Sequence, residues 1–173
     1  GARPRLFLTR VVREDRTLHV VDNNLRLLTE GLGLPLAARD PRPELHVGPD
    51  HEAAAAAFCS RPPAAGRRLV GFHPGSGTTK NLILKRWPAA GWADLARRVA
   101  AWEPGFFLVL FGSPDEAPLR REIVAASGLP PDRIGHAPDG PVRATAALIR
   151  RMDAFICGDT LLTHVASAVG TPV

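Results

Sequence analysis

From Leu69 onward the chain alternates short apolar runs with longer stretches in which apolar residues return every three or four positions. Leu69–His73, Phe106–Phe111 and Ala154–Cys157 are the short runs, and Arg133–His136 is a further short strand candidate around Ile134. Pro74, Gly112 and Gly158 close the three apolar runs, and this predicts buried strands. Residues 88–102, 115–127, 142–151 and 161–169 carry the longer period and predict helices. In the first of these, Trp92, Leu95, Ala96 and Val99 fall on one stripe while Asp94, Arg97 and Arg98 fall off it, as an amphipathic helix requires. The pattern places both Trp92 and Trp102 in or near a core. Strands joined through helices of this length must pair in parallel with crossover connections. The expected fold is therefore α/β, a Rossmann-like parallel sheet with helices on both faces. Pro172-Val173 reads as the entrance to a further strand, so the sheet is expected to be incomplete at the chain end.

The first third of the chain is less regular. Residues 1–16 suggest a strand with a basic turn after it, and Leu18 to Leu32 predict a helix ended by Gly31, Gly33 and Pro35. Glu44–Val47 reads as a short strand, and Asp50 as the cap of a helix through the alanines to Phe58. Prolines and a glycine between Arg61 and Arg68 mark a boundary. The expected division is 1–66, a leading part with an interdomain segment, and 67–173, a Rossmann-like domain truncated at the chain end.

Composition narrows the function classes. A chain of 173 residues with 45% hydrophobic residues can bury a real core. Its formal charge of +5 comes from arginines scattered in ones and twos rather than gathered on one face. That pattern is not the footprint of nucleic-acid binding. Cys59 and Cys157 match neither a zinc-site spacing nor a disulfide framework, which suggests a reduced cytoplasmic setting. Charge or proline interrupts every apolar run well short of a membrane span.

Three loops follow predicted strands at the edge where open α/β sheets bind ligands. After Phe72 come Gly75, Ser76, Gly77, Thr78, Thr79, Lys80 and Lys85, which offer close backbone approach, hydroxyls and cations. The stretch is neither G-x-G-x-x-G nor a P-loop, so a dehydrogenase or ATPase is disfavoured. After Cys157, Asp159 or Thr160 can cap a helix whose first turn runs through Leu161, Leu162, Thr163 and His164 and points N–H groups at the same edge. His164 could equally pack. After Phe111, Glu116 could stabilise a helix start by charge alone, or accept two protons from a ribose diol. An acidic metal-binding cluster and a nucleophile–histidine–carboxylate triad are both lacking.

Taken in order, His73-Pro74-Gly75-Ser76, Lys85-Arg86-Trp87-Pro88, Gly112-Ser113-Pro114-Asp115-Glu116 and Asp159-Thr160 with His164-Val165-Ala166 and Gly170-Thr171-Pro172 resemble the C-terminal half of the lipopolysaccharide heptosyltransferases, glycosyltransferase family 9. Leu18 to Gly33 is also similar to that family's helix ahead of the domain boundary. The resemblance implies the two-domain GT-B fold. It implies inverting, metal-independent transfer of heptose from ADP-L-glycero-β-D-manno-heptose to the lipopolysaccharide inner core, with no cofactor. Ser76, Gly77 and Lys85 would meet the donor phosphates, with Lys85 stabilising the leaving group. Glu116 would meet the adenosine ribose, and Asp159, Thr160, Leu161, Leu162, Thr163 and His164 the diphosphate end. The base would be an aspartate of the N-terminal domain, outside this chain, so the chain alone is expected to be inactive. Partners would be the nucleotide-sugar and the lipopolysaccharide-core acceptor, met in the cytoplasm or peripherally at the inner membrane face. Two departures stand out: Leu161 where the family carries glycine, and a longer segment from Gly77 to Leu84. A non-catalytic nucleotide-sugar-binding module and a transferase using another nucleotide-sugar are the alternatives.

Overall fold

The computed structural model describes residues 8–35, 43–76, 84 and 86–173. Gly1–Arg42 and Pro43–Val173 form separate compact units. In the first, α1 (Val20–Arg26) runs into a π-helical turn, Leu27–Gly31, and Gly33 leaves the helix with φ of 69°. His19 caps α1 by accepting the Val21 N–H at 3.3 Å. Residues 8–16 form no strand, and the start of the expected strand lies outside the described residues.

The second unit is the α/β layer. It begins with an irregular segment, 43–48, which lends Leu45 and Val47 to the core without joining the sheet. Helix α2 (Pro49–Cys59) follows, with Gly48 rather than Asp50 as its N-cap. Pro49 suits the first helical position because that N–H has no helical partner in any case, which moves Asp50 inside the first turn. Since α2 buries Ala55 against this core, the compact unit takes in residues ahead of the expected boundary at 66/67.

Four strands then alternate with helices: β1 (Arg68–His73), α3 (Ala89–Trp102), β2 (Phe106–Leu110), α4 (Ala117–Ser127), β3 (Ile134–His136), α5 (Val142–Ile149), β4 (Ala154–Cys157) and α6 (Leu161–Ala168). All pair in parallel in the order β3-β2-β1-β4. The chain winds outward from β1 through β2 to β3, then crosses back to lay β4 on the other side of β1. The reversal makes the C-terminal end of β1 a topological switch point, where open α/β sheets place ligands.

Side chains along each strand alternate between two cores. Val70, Phe72, Leu108 and Leu110 face Trp92 and Ala96 of α3 and Ile123 of α4. Leu69, Phe107, Val109 and Phe155 face α2, α5 and α6. Phe72, Phe107 and Phe155 are essentially inaccessible, and burying each such side chain contributes about 2–3 kcal/mol. Gly71 permits the edge-to-face pair Phe111–Phe155, with ring centroids 5.2 Å apart. A Cβ there would lie 2.5 Å from the Phe155 ring and 3.0 Å from Phe111. Beyond β4, the Phe155 N–H donates to Pro172 O at 2.8 Å, so the segment after α6 lies alongside the sheet.

One core expectation fails. Trp92 is buried against Phe72, but Trp102 is 81% exposed. Ten residues of helix turn Trp102 about 80° off the Trp92 stripe, and its ring instead rests edge-on to Phe106.

Candidate functional site

The site is built where β1, β2 and β4 end. β1 finishes at His73 and passes into Pro74-Gly75-Ser76, with His73 in register with Cys157 of β4. Past β2, Ser113 opens a 3₁₀ turn, Pro114–Glu116, that leads into α4. Ser113 and Glu116 form a reciprocal capping box, and the Ser113 N–H donates to Glu116 Oε2 at 2.9 Å. The S-x-x-E spacing that marks such a box was present in the sequence.

Glu116 is 7% exposed. Its Oε2 lies 3.4 Å from His73 Nε2 and its Oε1 3.3 Å from Arg86 Nη2. Burial alone would raise its pKa, but the hydrogen bonds from His73 and the Ser113 amide and the charge of Arg86 outweigh it and hold the carboxyl at about 2. The group is therefore an anion at neutral pH. Glycine is required at position 75 because a Cβ there would fall on the Glu116 carboxylate.

Arg86 joins the first loop to this carboxylate. Its Nη2 donates to Ser76 O at 2.6 Å and its Nε to Ser76 Oγ at 3.1 Å. Behind the second loop, buried Arg120 donates to Ser113 O at 3.3 Å and to Asp139 Oδ1 at 3.0 Å.

The third loop follows β4. Thr160 is the N-cap of α6 and forms a capping box with Thr163; the Thr160 N–H donates to Thr163 Oγ1 at 3.3 Å. Thr163 Oγ1 in turn donates to Gly158 O at 2.8 Å. The Thr160 hydroxyl lies 3.1 Å from His73 Nδ1. His73 thus touches the second loop with one ring nitrogen and the third with the other.

A cleft of about 340 Å³ opens over these groups, lined among others by His73, Ser76, Glu116, Thr160, Leu161 and Leu162. Asp159 and Thr160 face Ser76 and Arg86 across a smaller hollow of about 50 Å³ beside it. Ser76, Glu116, Asp159, Thr160, Leu161 and Leu162 are thereby brought to one place. Thr163 spends its hydroxyl inside the cap. His164 is exposed rather than packed, and it does not line the cleft. Leu161 opens α6 and is 67% exposed, so no left-handed backbone is asked of it. Gly77, Thr78, Thr79, Lys80 and Lys85 lie outside the described residues. His73 and Arg86 stand within the sequence motifs, but the sequence alone assigns neither a role. Among the described residues, no three of His, Cys, Asp and Glu gather as metal ligands would.

A larger apolar groove, about 810 Å³, runs along β3 past Phe58, Pro62, Phe107 and His136. Burial, with Arg120 and Arg121 nearby, lowers the pKa of His136. The groove holds none of the groups that line the cleft.

The model of glycosyltransferase family 9 (heptosyltransferase) matches residues 2–173. The chain belongs to that family. Among solved structures it is similar to E. coli ADP-heptose lps heptosyltransferase II, at 28% identity and a TM-score of 0.62 over 82% of this chain and 40% of that one. It is also similar to a family 9 glycosyl transferase from Veillonella parvula, at 26% identity and a TM-score of 0.78 over 97% of this chain and 46% of that one. The E. coli heptosyltransferase WaaC solved with ADP shares the fold, at 20% identity and a TM-score of 0.63, over 96% of this chain and 48% of that one. The chain thus spans less than half the length of each of these proteins. No curated protein matches it. The Rossmann-like layer described above is the one found in these GT-B glycosyltransferases. Among the described residues no helix is long and apolar enough to cross a membrane.

Proposed function

We propose that this family 9 chain carries the donor site of an inverting, metal-independent glycosyltransferase that moves heptose from ADP-L-glycero-β-D-manno-heptose to the lipopolysaccharide inner core. The observation that carries the reading is the buried carboxylate of Glu116, held ionised at a cleft where three separate loops meet. A carboxylate has about four acceptor positions. Among the described residues Ser113, His73 and Arg86 occupy three, and the fourth is assigned to a ligand hydroxyl. Glu116 would therefore take a single ribose hydroxyl rather than both.

The same arrangement suits the chemistry. Breaking the anomeric bond leaves extra negative charge on the departing ADP. Groups preorganised around that charge accelerate transfer only as far as they hold it better in the transition state than in the bound donor. The N–H groups of Leu161 and Leu162, which open α6, and the ammonium of Lys85 are assigned this task, with Ser76 at the phosphates. The base that activates the acceptor hydroxyl is assigned to a residue outside this chain. With a nucleotide-sugar donor and a lipid-anchored glycan as acceptor, the reaction is assigned to the cytoplasm or to the periphery of the inner membrane's cytoplasmic face.

The test is to incubate the full-length protein that carries this chain with ADP-heptose and a heptose-deficient lipopolysaccharide acceptor in EDTA. Release of ADP with a heptosylated product is expected. Lys85→Ala should lower turnover at least tenfold at saturating donor, given that one such donor is typically worth about 3 kcal/mol. ADP binding without transfer, under conditions where a known heptosyltransferase works, would point to a binding module; transfer from a different nucleotide-sugar would revise the donor.

A further inference from the structure

His73 sits at the last position of β1, between the strands that deliver the second and third loops. It is 7% exposed, and its ring spans from Glu116 Oε2 on one side to Thr160 Oγ1 on the other. Facing a carboxylate, Nε2 must carry a proton. In the neutral ring, Nδ1 then accepts from the Thr160 hydroxyl, whose oxygen accepts the Thr163 N–H within the capping box. Hydrogen bonds in such a series polarise one another. In that tautomer they run in one direction, from the first turn of α6 through Thr160 and His73 to Glu116.

We infer that His73 is a positioning residue that holds the ribose-reading carboxylate and the diphosphate-facing start of α6 in one fixed geometry, so that nucleoside and diphosphate are recognised as a unit. The inference rests on the nucleotide-diphosphate reading above and adds to it a coupling between its two halves. A side chain that merely fills space would support both halves equally. One that joins them through different atoms can be cut at either end.

Two substitutions make the cuts. The amide of His73→Gln comes close to the position of Nε2 and keeps the contact with Glu116. The amide of His73→Asn comes close to Nδ1 and keeps the contact with Thr160. Calorimetric titration uses adenosine, inorganic pyrophosphate and ADP. With His73→Gln, adenosine binding should stay within about twofold of wild type while pyrophosphate weakens about fivefold, the usual effect of one lost hydrogen bond. His73→Asn should do the reverse, and both should weaken ADP. Equal loss for adenosine and pyrophosphate in both variants, or unchanged ADP binding, overturns the inference while leaving the nucleotide site standing. Failure of the wild-type protein to bind ADP overturns both. Should a variant not fold, wild-type amide spectra decide. Adenosine alone should shift the Thr163 amide as well as that of Ser113, and a Thr163 amide that stays still while Ser113 moves overturns the coupling.

Discussion

Gly75→Ala is the smallest change that should disturb the centre of the site. Gly75 does not have a positive φ, so alanine suits its backbone and would by itself stabilise the fold slightly by restricting the unfolded chain. The expected cost is steric, because the new Cβ falls on the Glu116 carboxylate. An unanchored glutamate would swing aside cheaply. This one is held by the Ser113 N–H at 2.9 Å, by Arg86 and by His73, and moving it forfeits at least one hydrogen bond to a charged group, worth about 1.5–3 kcal/mol. We therefore expect Gly75→Ala to destabilise by about 2 kcal/mol, a fall in Tm of about 6 °C for a unit of this size. The assay is a double-mutant cycle by urea and thermal unfolding with Glu116→Ala as the second change. In the Glu116→Ala background, Gly75→Ala should cost less than about 0.5 kcal/mol, because the obstacle is gone. An equal cost in both backgrounds, or none in either, refutes the claim that Glu116 is fixed where the structure places it.

Two further outcomes follow from the core and from the buried charge. Gly71→Ala should destabilise by about 1–3 kcal/mol through overpacking, because the Phe111–Phe155 pair has no space to retreat; unfolding curves unchanged from wild type would contradict this. Glu116 has a folded pKa of about 2 against an ordinary 4.5. Its contribution of about 3 kcal/mol is fully present above pH 4.5 and is lost as pH falls toward 2. Wild-type stability should accordingly drop more steeply than that of Glu116→Gln between pH 5 and 2, and parallel curves would contradict the assignment.

How much of this was legible beforehand depends on the kind of signal. The strand Ala154–Cys157 emerges with the bounds expected of it, and the remaining strands and helices of the layer agree to within two or three residues. Those elements carry strong periodicity and end on glycine, proline or polar caps. Glu44–Val47 misled because two alternating apolar residues look the same whether they pair in a sheet or only dip into a core. Trp102 misled because its helical phase matters more than its size. In the site, Glu116 and Thr160 were findable because each sits at a cap with a sequence signature. Arg86 and His73 were not assigned roles, because their partners lie 30 and 43 residues away in the chain for Glu116, and 87 for Thr160. Only the parallel sheet, by placing the ends of β1, β2 and β4 side by side, brings them together.

The claim on which the account turns is that the three loops form one nucleotide-diphosphate site. It is tested most directly by titrating ADP into the isotopically labelled chain and following backbone amides. Ser76, Ser113 and Thr160 through Thr163 should shift together and saturate along a single binding curve. Shifts confined to the groove by Phe58 and His136, or loops that saturate at different ADP concentrations, would contradict it.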